Sequence, residues 1–272
     1  MRIVGGVMLR SGICAAFGVL LLSAAPVLAH DSGKPTDWTG LYIGAHAGHA
    51  WGDWDGTLET TGGNVGYSNP NRSISADGWL GGLQAGYNSQ FKGVVVGVEA
   101  DISWSDSDGS GTFDTDQTGP AVFSKKHDLS LDYFGTARVR VGLPTGHFLP
   151  YLTGGVAWGK TDGDLAVAYY PNPANPPFGI SGASTREHHV GWTLGGGVEL
   201  ALGGNWSLKA EYLHIDLGKE KYLFKGEVFN IAGPGVGAPF DTDSFASDLT
   251  LDTVRVGLNY KFGGRDEVVP LK

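Results

Sequence analysis

Charge is scarce in this chain: only 17% of its 272 residues are Asp, Glu, Lys or Arg, and the balance is −9. With 19 basic against 28 acidic side chains it lacks the footprint of a nucleic-acid binder, whose affinity rests on neutralised phosphates. Cysteine is scarcer still. The single one, Cys14, lies within the first 29 residues, so the remainder has no disulfide or thiol chemistry. Past that segment no apolar run is long enough for a transmembrane helix, and helical periodicity is absent. No P-loop, CxxC or Ser-His-Asp order is present, so neither an enzyme activity nor a cofactor is expected.

What the first 29 residues do contain has the parts of a signal peptide. Arg2 and Arg10 give a positive start, Ile13 to Leu22 an apolar core, and Val27-Leu28-Ala29 a small-residue cleavage site. The core is short for a span and is followed by Pro26, and Cys14 has no apolar run before it of the kind lipidation needs. Residues 1–29 are therefore expected to be cleaved, leaving residues 30–37 as a polar lead. Loss of Arg2 and Arg10 makes the chain two units more negative.

The body is rich in what an all-β protein uses, with 45 Gly, 8 Trp, 10 Tyr and 12 Phe. From Val94 to Trp104 the even positions Val94, Val96, Val98, Ala100, Ile102 and Trp104 share one face of a strand. Val95, Gly97, Glu99, Asp101 and Ser103 share the other. From Leu129 to Leu143 the pattern recurs with opposite charge. Leu129, Leu131, Tyr133, Gly135, Ala137, Val139, Val141 and Leu143 form the apolar face, with Arg138 and Arg140 behind it. A strand wholly apolar on one side and charged on the other suits a wall between hydrocarbon and a polar interior.

Eight such strands can be read, near 39–50, 78–89, 94–104, 129–143, 147–160, 188–202, 206–215 and 249–262. The fifth is the least clear. Phe148, Leu152, Val156 and Trp158 form its lipid face, while Leu149 and Tyr151 lie on the other. Connections alternate. Long polar segments (51–77, 105–128, 161–187 and 216–247) are read as loops, and Gln90-Phe91-Lys92-Gly93, Pro144-Thr145-Gly146 and Gly203-Gly204-Asn205 as tight turns. PNPANPP, residues 171–177, is excluded from any central strand. Brief turns at one end and extended loops at the other are the asymmetry of an outer-membrane barrel.

A soluble lipocalin-type barrel also alternates polar and apolar faces, and three features oppose it. Trp79, Tyr87, Trp104, Tyr133, Trp206, Tyr212, Tyr260 and Phe262 fall near strand ends on the apolar face, as interfacial girdles require. Glycines crowd the polar face. The charges there also balance, Glu99, Asp101, Glu199 and Glu211 against Arg138, Arg140, Lys209 and Arg255. These observations give an all-β chain, an eight-stranded antiparallel up-and-down transmembrane β-barrel over residues 38–262. An even strand number puts both termini on the periplasmic side.

The stretches WTGLYIGAHAG (38–48), GGLQAGYN (81–88), VVGVEADI (95–102), FGTARVRVG (134–142), PYLTGGVAWG (150–159), WTLGGGVE, WSLKAEYLHIDLG and VRVGLNYKF (254–262) resemble the alphaproteobacterial outer-membrane β-barrel, or porin-family, surface proteins. These are related in build to the OmpA transmembrane domain. The resemblance covers nearly every strand and none of the long loops. It implies an abundant surface antigen of a Gram-negative outer membrane; some members are described as small pores or haem binders. It also implies a terminal aromatic read by the barrel-insertion machinery. Tyr260 and Phe262 fit that signal, although Gly263 to Lys272 follow as a periplasmic tail.

Three further candidate sites follow. The eight charges read as a luminal ladder holding strands together, in preference to a catalytic carboxylate pair, since no nucleophile or histidine lies beside them. Asp106, Asp108, Ser110 and Gly111, with Asp114 at the ninth position, echo a calcium loop, but its twelfth position is Gln117 and its flanks are strands. His127, near the start of the fourth strand, and His188 with His189, near the start of the sixth, are candidate axial ligands for haem. The expected function is envelope integrity and surface contact; the alternatives are a narrow passive pore, or haem or cation binding by the loops. Expected partners are outer-membrane lipids and lipopolysaccharide, the insertion machinery, and host or environmental ligands reached through the loops.

Overall fold

The computed structural model describes residues 36–61, 67–115, 122–170, 179–225 and 242–262. The expected signal peptide (1–29), the Pro-rich 171–177 and the tail 263–272 lie outside them. Eight strands follow in chain order: β1 Gly40–Thr61, β2 Tyr67–Phe91, β3 Val94–Thr115, β4 Val122–Gly142, β5 Phe148–Tyr170, β6 Gly179–Gly203, β7 Trp206–Lys225 and β8 Thr242–Lys261. Each pairs antiparallel with the next, and β8 closes on β1 to give a barrel without free edges.

The three short connections are set by backbone chirality. Lys92 and Gly93 both take positive φ (45° and 88°), as do Gly204 and Asn205 (57° and 79°). That is the left-handed pair a two-residue hairpin needs to match strand twist. Thr145 and Phe148 exchange backbone hydrogen bonds of 2.7 and 3.0 Å across the third turn.

Strand length is where the structure corrects the sequence reading. The strands run 20 to 25 residues, about twice the 9–11 that cross a bilayer. Residues 51–61 and 67–77, read as loop, continue β1 and β2, and 105–115 and 122–128 continue β3 and β4. The physical reason is an inversion of polarity partway up the wall. In the half near the short turns, outward residues are apolar and inward ones polar. Leu83, Val98, Val139, Leu152, Leu194 and Leu258 face out, all at least 43% exposed. In the other half the sense reverses. Leu80, Leu131, Phe134, Leu213, Ile215, Leu217, Leu249 and Leu251 point inward and are buried. Asp132, Lys160, Asp162, His214, Asp216, Thr250 and Asp252 are the outward neighbours there, none of them buried. The barrel is thus built for hydrocarbon in one half and for water in the other.

Bulges help set the inversion. Registers shift between Trp104 and Ser107, Leu131 and Tyr133, and Asp216 and Lys219. One inserted residue turns the following side chains to the other face. Leu131, read as lipid-facing with Tyr133, is therefore 1% exposed inside the barrel. On β5 the structure places Leu149 and Tyr151 inside and Phe148, Leu152, Val156 and Trp158 outside.

Candidate functional site: a charge-balanced interior

Period-two alternation aims Glu99 and Asp101 on β3, Arg138 and Arg140 on β4, Glu199 on β6, Lys209 and Glu211 on β7, and Arg255 on β8 into one narrow interior. All eight are at most 5% exposed. Room for them comes from glycine. A Cβ at Gly82 would sit 2.5 Å from His46 Nε2, and one at Gly86 2.5 Å from the Tyr42 ring.

The ladder expected between neighbouring strands is in fact a brace across the lumen. Arg138 meets Glu99 (2.5 Å) and Asp101 (2.8 Å) on the adjacent strand, but its other nitrogen reaches Glu211 on β7 (3.0 Å). Arg255 bonds Glu211 beside it (2.6 Å) and Asp101 on β3 (3.0 Å). Glu199 and Lys209 are register partners, yet they turn elsewhere. Lys209 donates to Glu99 (2.9 Å), and Glu199 accepts from Arg140 (2.6 Å), Asn259 (2.9 Å) and Ser207 (2.5 Å). Buried charges are tolerable when paired and hydrogen-bonded, and each carboxylate here has at least two donors. The arginines bond through their terminal nitrogens, while Nε of Arg138, Arg140 and Arg255 has no hydrogen-bond partner among the described residues.

Two tyrosines complete the belt, and neither was singled out in the sequence. Tyr42 donates to Glu99 (2.7 Å), and Tyr151 donates to Glu211 (2.9 Å). The Arg140 guanidinium lies over both rings, 4.1 Å from Tyr151 and 5.8 Å from Tyr42. The available signal was position: both stand on the polar face of their strands. His46 (to Ser103, 2.8 Å) and the pair Gln84–Asn259 (2.5 Å) extend the network.

Apolar layers lie at both ends of this belt. At the turn end Trp38, 4% exposed, packs with Val95, Leu149 and Ala201. Its segment is strapped down by Trp38 N donating to Gln90 (3.0 Å), Thr36 meeting His147 (3.1 Å), and Lys261 donating to the carbonyl of Asp37. At the other end Phe134, Leu131 and Leu217 converge on Gly159 beneath the remaining inward leucines. Arg140, Arg255, Lys209, Phe134 and Leu131 are the largest side chains buried to below 2% exposure among the described residues.

The other candidate residues are not gathered in this way. Asp106, Asp108 and Asp114 lie along β3, which is extended and paired with β4 from Ser107 on. At about 3.3 Å per residue the outer two are roughly 26 Å apart, so no calcium loop forms. His188 is exposed on the outer face, while His189 is 1% exposed inside and hydrogen-bonded to Thr161 (2.9 Å). Adjacent strand residues point to opposite faces, so the two imidazoles do not share one. His127, whose side chain lies outside the described residues, pairs with Leu165, five residues along β5 from the partner of His188. The three histidines do not converge on a haem.

Tyr260 and Phe262 sit at the rim where the short turns lie. Tyr260 makes edge contacts with Trp206 (5.1 Å) and Phe262 (5.2 Å), and Phe262 N donates to Leu41 (2.7 Å). At the upper rim seven strands turn an aromatic outward: Trp51, Trp79, Trp104, Tyr133, Trp158, Trp192 and Tyr212. Beyond it, Lys160 bonds Asp132 (2.5 Å) and Asp162 (3.4 Å), and the bond to Asp132 is the main reason its pKa is raised.

This construction agrees with what the chain is similar to. The 31 kDa outer-membrane immunogenic protein of Brucella melitensis is 33% identical over 273 aligned residues, covering 93% of this chain and 98% of the relative. The 22 kDa outer membrane protein of Rhizobium leguminosarum is 25% identical, covering 84% and 81%. Among solved structures, the outer membrane protein OprG from Pseudomonas aeruginosa aligns with a TM-score of 0.44 at 14% identity, covering 82% of this chain and 97% of that one. The family model for the outer membrane protein beta-barrel domain matches residues 15–262. The chain belongs to that family, and it is an outer-membrane β-barrel protein of a Gram-negative bacterium.

Proposed function

We propose that the protein is a closed-lumen surface barrel, which supports the envelope as a rigid anchor and carries its loops clear of the bilayer for contact with the surroundings. The observation that carries this reading is the interior. Among the described residues a charge belt paired across the lumen lies between two apolar layers, which supports bracing over solute passage. The long strands add to it. At roughly 3.3 Å per residue and a tilt near 40°, a strand of 22 residues rises about 55 Å, of which about 25 Å is membrane. The immunogenic relatives are in keeping with loops held at the surface. The barrel would meet the insertion machinery at Tyr260 and Phe262, and lipid and lipopolysaccharide along its outer face.

Single-channel recording of the refolded protein in a planar bilayer tests this. Verified, inserted barrels should give no discrete conductance steps. Steps that change amplitude in an Arg138→Ala/Arg140→Ala variant would mean a wet lumen, and the pore reading would replace this one.

A further inference from the structure

The upper aromatic girdle has one break, and the break is filled by a carboxylate. Above the outward residues Val254, Val256 and Leu258, β8 presents Asp252 where the other seven strands supply Trp or Tyr. Asp252 is the lowest of the outward polar residues on β8, directly above the hydrocarbon-facing valines. Asp252 is also held in place. Tyr212 Oη (2.7 Å) and His214 Nδ1 (2.8 Å) both bond its Oδ1, and neither bond engages Oδ2. Its side chain is 30% exposed.

The register places a second acid opposite it. Trp51 on β1 is the direct partner of Asp252 on β8 and of Asp77 on β2. All three face outward, so an indole stands between two carboxylates, each about 5 Å away at Cβ. His49 lies against Trp51 (6.2 Å, 28°) and edge-on to Trp79 (5.3 Å), and it is 4.0 Å from Asp77. Even so, Trp51 remains 41% exposed and the Asp77 side chain 66%. An exposed π face bracketed by carboxylates is the chemistry that recognises an alkylammonium ion. It selects the amine end of a zwitterionic headgroup and offers nothing bidentate to a carboxylate.

We infer that Trp51, Asp77 and Asp252 form a binding site for the ammonium group of an amine-bearing lipid headgroup at this rim of the barrel. The lipid source follows from level. The site sits where the apolar outer face ends and the polar one begins, with valines directly below it for the acyl chain. The inference does not depend on whether the lumen conducts.

The test uses the refolded full barrel in mixed lipid nanodiscs, with lipids retained on release counted by native mass spectrometry. Phosphatidylethanolamine and phosphatidylglycerol of identical chains are the probes. Wild type should retain the amine lipid in preference. Asp252→Asn keeps an acceptor for Tyr212 and His214 but removes the charge, and Trp51→Leu keeps the apolar surface but removes the π face. Each should reduce the preference by about tenfold, the ratio one such contact supports. Heat-modifiable migration verifies folding, and Asp252→Asn, exposed and isosteric, decides the matter if Trp51→Leu does not fold. Equal retention of the two lipids by wild type, or an unchanged preference in Asp252→Asn, would overturn the site. Displacement of the lipid by free ethanolamine at the same amine concentration would overturn its assignment to a lipid.

Discussion

Arg138→Met is the perturbation that interrogates the interior most directly. The substitution keeps most of the side-chain bulk and removes one charge, leaving four carboxylates against three cations in the belt. Removing one partner of a buried pair commonly costs 3–5 kcal/mol. Here the loss is expected near the lower bound, about 3 kcal/mol, because no carboxylate is stranded. Glu99 keeps Lys209 (2.9 Å), Asp101 keeps Arg255 (3.0 Å), and Glu211 keeps Arg255 (2.6 Å). With a urea slope of about 1–3 kcal/mol per molar, the midpoint should fall by roughly 1–3 M. Equilibrium unfolding of barrels refolded into lipid vesicles, followed by tryptophan fluorescence, measures this. A second substitution, Glu99→Gln, restores neutrality and should return more than half of the loss. A midpoint shift below about 0.3 M, or no recovery in the double variant, would refute the argument that paired charge braces the lumen.

Other perturbations separate the remaining features. Trp38→Ala deletes the apolar layer at the turn end and should lower stability by about 3–5 kcal/mol in the same assay. Gly82→Ala drives a methyl into His46 and should leave most of the protein unable to reach the heat-modifiable closed form on a gel. The polarity inversion predicts opposite responses along one strand. Val256→Arg, on the lipid face, should cost about 2–4 kcal/mol, whereas Thr250→Arg, six residues higher on the same face, should stay within about 0.5 kcal/mol. Conversely Leu251→Ala, inside and 1% exposed, should cost about 2–5 kcal/mol, by urea midpoint.

The number of strands and the identity of the eight luminal charges were legible from period two alone, because hydrocarbon outside and a polar interior impose unmixed faces. Three things were not. Strand length was hidden because the alternation continues past the girdle in the opposite sense. Leu249 and Leu251 inside, against Thr250 and Asp252 outside, form a strand pattern that a search for lipid-facing runs discards. Leu131 was misplaced because a bulge of one residue, invisible in composition, turned the face over. The pairing across the lumen could not be read either. Lys209 chooses Glu99 over its own register partner because of which strands the closed circle brings opposite, a property of barrel diameter. Tyr42 and Tyr151 stood in the polar pattern, but an aromatic there gave no sign that its hydroxyl would bond a carboxylate.

The balance of four acids and four bases also governs how the protein responds to electrical surroundings. A single unmatched charge carried through 100 mV changes in energy by about 2.3 kcal/mol, so a barrel with a net internal charge would feel any Donnan potential across its membrane. Among the described residues the belt presents no monopole for such a field to pull on. In the closed-lumen reading proposed above, the apolar layers hold ions away from the belt, and ions screen poorly what they cannot approach. On that reading the interior holds the same geometry in a dilute medium and in a salty one.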